Sequence, residues 1–314
     1  MSGTATSQVR SAYVSEATAG TIPSTPGFTT LHTLARMTAT PAAIEHRSQV
    51  SGGARLGHGI QEIDVTGEIP ATPLVYGVYD DLLATLLQGA WSSDVLEDAK
   101  ASPTVTIENT LPAGVGGTDT MLRFRGVEAT GGTISLASRS AATIALTLAG
   151  RGSDDATTTA ITGATYTDPT ELDPLSSGVD VGTIAFDGYT LDCMESLEIA
   201  FNFEGREKQA KIGTDDLCGI TRGDFLPVLT ANIYIEANFL AMYNAARSRT
   251  TSAFSVTVPI GSVTGEKYTL VFPSCHFGSA DIDMSAVNTM QTVIINPHYS
   301  TSDDHVLEIT RAVA

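Results

Sequence analysis

The sequence predicts a mainly β protein made of two similar β-sandwich or barrel domains, each with one flanking α-helix. An ordered series of strand, helix and further strands occurs once before residue 150 and again after residue 180. Apolar residues alternate with polar ones through most of these segments, the period of a half-buried strand. Thr, Ser, Ala and Gly are plentiful while charged residues make up 17% of the chain and hydrophobic ones 42%, a balance that suits β-structure with many turns and not disorder.

Taken in order, residues 1 to about 30 carry Gly, Thr, Ser, Pro23 and Pro26 and read as an extended arm ahead of the first regular strand, of a kind that can reach a neighbouring subunit. Ala35 to Ser51 can form one or two strands, and Gly52-Gly53 with Gly57 and Gly59 marks a flexible loop before a strand at 62–69. Asp80-Asp81 ahead of Leu82, Leu83, Leu86 and Leu87 predicts a helix over 80–88 with acidic residues at its positive end, an apolar stripe toward the core and Gly89 as a stop.

Residues 151–180, rich in Thr, Asp, Gly and Ser with Pro169 and Pro174, read as a surface linker or exposed insertion. Leu197, Ile199, Phe201 and Phe203 then alternate with Glu198, Ala200, Asn202 and Glu204, a two-faced strand that opens the second half. Asn238 is placed as the cap of a second helix with Phe239, Met242, Tyr243 and Ala246 on one face, ending near Arg247.

The halves align block by block. Val65-Thr66-Gly67-Glu68-Ile69 meets Leu229-Thr230-Ala231-Asn232-Ile233, Asp81–Ala84 meets Asn238–Ala241, and Val105-Thr106-Ile107 meets Val256-Thr257-Val258. Leu122-Arg123-Phe124 then meets Leu270-Val271-Phe272, Ile134 meets Ile282, and Ala145-Leu146 meets Val293-Ile294, without a gap. Repetition of this kind points to geometry and not to chemistry. It divides the chain into a first β domain with its N-terminal arm over 1–150, the segment 151–180, and a second β domain over 181–314.

The formal charge is −18, from 17 Lys and Arg against 35 Asp and Glu, with no basic run interleaved with aromatics, which argues against binding DNA by neutralising phosphates. Met1 to Val14 lacks a positive cluster followed by an apolar run, and no apolar stretch approaches the roughly 20 residues that span a bilayer, so the chain is expected to be made soluble in the cytosol, with no membrane partner. Cys193, Cys218 and Cys275 have no paired spacing, and reduced, partly buried thiols are expected.

No catalytic constellation emerges. His32, His46, His58, His276, His298 and His305 are scattered, only His305 stands beside acids (Asp303 and Asp304), and no metal-ligand spacing appears. Asp281 and Asp283 share one face of a strand, which reads as a solvated face, and Gly114–Gly117 reads as a hairpin connection because no Lys-Ser/Thr or helix start follows it. The chain is therefore expected to be no enzyme and to use no metal or cofactor.

Tyr13-Val14-Ser15-Glu16-Ala17-Thr18-Ala19-Gly20-Thr21-Ile22-Pro23-Ser24-Thr25-Pro26 resembles the opening of tail tube (major tail) proteins of long-tailed bacteriophages, with their Glu, Gly-Thr and Pro pattern. Gly67-Glu68-Ile69, Tyr79-Asp80-Asp81-Leu82-Leu83 and Gly89-Ala90-Trp91 resemble the strand and helix signature of the same family, most clearly over residues 13–150. The resemblance implies a virion structural protein, assembled into stacked rings around a channel for the genome, with other tail components such as tape measure, terminator and distal tail proteins as neighbours.

A channel lined by carboxylates would repel phosphates and let DNA pass without specific binding. Asp64, Thr66, Glu68, Glu198, Asn202 and Glu204, on polar faces of paired strands, are the candidate lumen residues. If each half supplies one tube domain, three chains make a ring with pseudo-sixfold symmetry; a six-chain ring is the alternative. A terminator or baseplate protein of the same fold, or a duplicated adhesin, are the competing functions, the adhesin disfavoured by 6% aromatics and a single Trp91.

Overall fold

A computed structural model describes residues 5–47, 52, 55–113, 117–169, 173–189, 191, 193–235, 239–248, 252–284 and 288–311. In chain order come β1 (Arg10–Ser15), β2 (Gly27–Thr30), β3 (Arg36–Arg47), β4 (Arg55–Pro73), α1 (Asp80–Leu87), β5 (Val95–Glu97), β6 (Val105–Leu111), β7 (Thr120–Ala137) and β8 (Thr143–Gly150). The short strands β9 (Gly152–Ser153), β10 (Thr165–Thr167) and β11 (Ala185–Phe186) lead to β12 (Met194–Phe201). An extended hairpin follows, made of β13 (Phe203–Glu204), β14 (Lys208–Ala210), β15 (Leu217–Ile220) and β16 (Asp224–Phe225). The chain continues with β17 (Val228–Tyr234), α2 (Phe239–Arg247), β18 (Phe254–Ile260), β19 (Tyr268–Asp283), β20 (Met290–Pro297) and β21 (Glu308–Arg311). The protein is mainly β, as its alternating pattern predicts.

The halves share one strand topology. β4 pairs with β8 as β17 pairs with β20, β6 with β7 as β18 with β19, and β7 with β8 as β19 with β20, all antiparallel. β3 flanks β4 as β12 flanks β17. Even the bulges recur: the register shifts between Val105 and Ile107 and between Phe254 and Val256, and again between Ala129 and Gly131 and between Phe277 and Ser279. A bulge bends and twists its strand, which lets β7 and β19 each begin in one layer, beside β6 or β18, and end in the other, beside β8 or β20.

Superposing the bulges sets Phe124 on Phe272 and Ile134 on Ile282, as the sequence alignment has them. Elsewhere the register moves. Ile107 falls on Val256 and not Val258, and Gly67 on Leu229 and not Ala231, because a period-two pattern fits equally well two residues away. Leu146 falls on Val293 and not Ile294, because Ser135 pairs with Thr143 whereas Asp283 pairs with Met290, one residue nearer.

The two halves join where β7 and β12 pair antiparallel, with Ile134 opposite Ile199 and Ser135 opposite Glu198. This makes one continuous run of strands, β3–β4–β8–β7–β12–β17–β20–β19, four from each half. A second layer holds β1, β2, β6 and the start of β7 in the first half, and β11, β18, the start of β19, β21 and β5 in the second. Between the layers, Leu82, Ile107, Ile134 and Leu146 from the first half and Ile199, Val256, Leu270 and Val293 from the second are buried in one apolar cluster.

Several expectations change on inspection of the fold. Residues 1–30 are not an arm throughout: β1 pairs with both β2 and β6, and Tyr13 and Phe28 are buried. The glycines at 57 and 59 do not form a loop, since β4 begins at Arg55 and Gly57 and Gly59 lie opposite His46 and Ile44 in a two-stranded ribbon that extends beyond the reach of β8. Helix α1 ends at Leu87, where Gln88 takes a left-handed conformation (φ 52°) and Gly89 donates to Ala84 O at 3.1 Å. A Cβ on Gly89 would lie 2.2 Å from Glu97 O, so the glycine permits a close approach to β5. Asn238, the expected cap of α2, and Gly114–Gly116 lie outside the described residues. Within 151–180, β10 pairs in parallel with β2, and Tyr166 stacks on Phe28 with ring centres 5.2 Å apart.

Candidate functional site

One face of the eight-strand run packs into the core; the other is open. Strand alternation puts Met37, Val65, Ile69, Ile134, Leu146, Leu148, Leu197, Ile199, Leu229, Val293 and Ile295 inward, all buried. The residues between them point the other way. Arg36, Thr38, Thr66, Glu68, Thr147, Glu198, Asp281 and Asp283 are exposed there, and Thr133, Ser135, Thr143, Ser196, Thr230, Asn232 and Thr292 are half-buried among them. Neighbouring strands are tied across this face by short polar links: Asn232 donates to Ser196 Oγ at 2.9 Å, Thr292 donates to Asn232 Oδ1 at 2.8 Å, and Thr38 to Thr66 O at 3.3 Å.

Of the six residues singled out in sequence, Thr66, Glu68 and Glu198 stand on this open face. Asp64 belongs to the same side of β4, but its carboxylate is engaged by the Lys208 ammonium, so its charge is neutralised locally. Asn202 follows β12 and borders, with Glu68, an open depression floored by Thr130–Thr133 and Ala145–Thr147. Glu204 sits apart, on the hairpin strand β13 opposite Asp224. Arg36, Asp281 and Asp283 complete the charged set on the face, and the alternation that marks Glu68 and Glu198 marks them equally. Arg36 lies 3.0 Å from Glu68, both well exposed, a pair of the kind that contributes little to stability.

The hairpin from β13 to β16 folds back over the first half and is held there by charge. Arg206 reaches Glu128 at 2.6 Å, and Arg151 contacts the same carboxylate at 3.4 Å, with Glu128 and Arg206 almost wholly buried. Arg125 bridges Asp154 at 2.7 Å and Asp216 at 3.2 Å. Burial lowers the Arg206 guanidinium below its ordinary range, while Glu128 acts in the opposite direction. These pairs are structural; they lie off the open face.

The histidines are less scattered than the sequence suggests, because β19 and the end of β20 bring His276 and His298 edge to face at 4.9 Å. Partial burial, then the neighbouring His276, lowers the pKa of His298 from the ordinary value. Among the described residues no group of three or more His, Cys, Asp or Glu is placed to hold a metal ion. Cys193 and Cys218 are exposed, not partly buried; Cys275 is buried.

A family model described as phage tail tube protein matches residues 6–298. The chain belongs to the phage tail tube protein family. As a member it is a structural component of the virion tail, built to assemble with its own kind and with other tail proteins. A search of curated proteins finds no match. The open, hydroxyl-rich and mostly acidic sheet face is the candidate functional surface, since the opposite face is consumed by the core.

Proposed function

We propose that this tail tube protein closes into rings of three chains with pseudo-sixfold symmetry, that the rings stack, and that the open face of the joined sheets lines the channel through which phage DNA passes in infection. In this reading residues 1–150 and 181–314 are two tube domains, and residues 151–180 form an insertion that packs on the first. The chain is made in the host cytoplasm, and the tape measure, terminator and distal tail proteins are its neighbours in the tail.

The observation that carries the reading is the continuous strand run with its uncommitted polar face. Glu68, Glu198, Asp281 and Asp283 would present carboxylates to passing phosphates, and the threonines between them offer hydroxyls without positive charge. A negative, low-affinity wall keeps a polyanion from adhering, whereas cations would hold it by counterion release. The run also ends in two strand edges, β3 and β19, that pair with no further strand among the described residues, and an edge left open invites uncontrolled pairing unless assembly closes it.

Cryo-electron microscopy of the purified protein concentrated to assembly tests this. Hollow stacked rings of three chains are expected, with Glu68 and Glu198 facing the channel. Rings of six chains would retain the tube and overturn the pseudo-sixfold assignment; particles that never form a channel would overturn the tube itself.

A further inference from the structure

β12 and β7, which pair with each other, are the counterparts of β3 and β19, whose outer edges pair with no strand among the described residues. Matching the two halves through their bulges puts Arg36, Met37, Thr38 and Ala39 at the places of Glu198, Ile199, Ala200 and Phe201. It likewise puts Ala280, Asp281, Ile282, Asp283 and Met284 at the places of Gly132, Thr133, Ile134, Ser135 and Leu136.

We propose that β19 of one chain pairs antiparallel with β3 of a second copy in the register of the internal junction, with Ile282 opposite Met37, Asp281 opposite Thr38 and Asp283 opposite Arg36 of the second copy. The interchain junction then carries an ion pair where the internal one has Ser135 opposite Glu198. This rests on the ring reading above and adds the register and the charge pair to it.

Two observations support a second copy as the occupant. The first is burial. Ile134, Leu136, Ile199 and Phe201 are all at most 3% exposed at the internal junction; of their counterparts on the open edges Met37 is buried, but Ile282 is half-buried, Ala39 exposed and Met284 74% exposed. Pairing in this register covers them. The second is charge. The face around β19 is acidic, and Arg36 is the one exposed cation on the edge strand β3 from Arg36 to Ala43, so placing these two edges together in this register brings opposite charges face to face. Its guanidinium, already 3.0 Å from Glu68, would lie between two carboxylates.

The test uses the full chain with the exposed Cys193 and Cys218 replaced by serine, carrying Thr38→Cys with Asp281→Cys. Both positions are exposed, and Thr38→Cys gives up only a 3.3 Å hydroxyl link to Thr66 O while the backbone ladder of β3 and β4 remains. Oxidation after assembly should give covalent oligomers that end at the ring number on non-reducing gels, whereas Thr40→Cys with Asp281→Cys, two residues out of register, should give few. In parallel, Arg36→Asp or Asp283→Arg alone should raise several-fold the concentration needed for assembly, and the two together should restore it. Tubes that form without in-register cross-links, or charge reversals whose combination is no better than either alone, would overturn the register while leaving the tube standing. Wild-type chains that never form rings would overturn both.

Discussion

Glu16, one of the residues that carry the family resemblance, has a definite structural task. Its carboxylate accepts from Thr104 Oγ1 and Thr106 Oγ1, each at 2.6 Å, from Gly20 N at 2.6 Å and from Gly126 N at 2.9 Å, thereby closing the turn after β1 onto β6 and onto the bend of β7. Gly126 adopts a positive φ of 59° there, a conformation that a side chain rarely takes. Removing the acceptor leaves the buried Thr104 and Thr106 hydroxyls and two amides to find new partners. Glu16→Ala is therefore expected to cost roughly 2–4 kcal/mol, read as a lower urea midpoint at unchanged slope. A second residue-scale expectation concerns Cys275, whose thiol burial pushes up to about 12. Its folded pKa lies above the unfolded value of about 8.5, so the contribution to stability is full below pH 8.5 and declines as pH rises toward the folded value. Between about pH 8.5 and 10, before ordinary tyrosines titrate, stability should fall with pH, and Cys275→Ala should flatten that slope. In the native protein a thiol reagent should label Cys193 and Cys218 and reach Cys275 only on unfolding.

The two helices show how far repetition extends and where it stops. Leu83 in α1 is 2% exposed, packed with Leu82, Leu86 and Leu87, whereas Leu240, its counterpart by sequence alignment in α2, is 55% exposed and only Met242 of that helix is buried. Leu83→Ala is expected to cost about 2–5 kcal/mol by loss of buried area and cavity formation, and Leu240→Ala less than about 0.5 kcal/mol, both measurable by denaturant unfolding. The leucine stripe of α1 was legible because a helix beside a sheet buries its 3.6-residue face. So was the order of strands, since alternation marks each of them. Register was less legible: Val105–Ile107 and Val65–Ile69 align two residues off because a period of two carries no memory of where a bulge falls. The ribbon at Gly57 and Gly59 was missed for a related reason, since pairing with β3 overrides the local preference of glycine for turns. The carboxylates at 281 and 283 were recognised as one strand face, but which other strands share that face depends on the β7·β12 join, a contact between residues 196–201 and 132–137 that no local pattern encodes.

At the scale of the whole molecule, the proposed channel makes the sign of charge on the open face what would separate a conduit from a trap. The chain carries a formal charge of −18, yet most of its buried or half-buried cations are spent on internal bridges: Arg123 to Glu108 at 2.8 Å, Arg206 and Arg151 to Glu128, Arg125 to Asp154 and Asp216, Arg311 to Asp80 and Asp94. What remains on the face is Arg36, beside Glu68, against Glu198, Asp281 and Asp283. Overall acidity alone could account for weak DNA binding, so the decisive comparison holds the outer surface constant and reverses only the face. Thr147→Lys, Glu198→Lys and Asp281→Lys together add three positive charges and remove two negative ones in every chain, at exposed positions on the open face, outside the core and away from the Arg36 side chain. Assembled tubes of this variant are expected to retain duplex DNA at low salt and to release it as salt rises, with log affinity falling linearly in log salt concentration, the signature of counterion release. Wild-type tubes under the same conditions should retain little. If both tubes retain DNA equally, or if three lysines placed on the hairpin strands β13 to β16 have the same effect as three on the sheet face, the sheet face is not the surface that DNA meets.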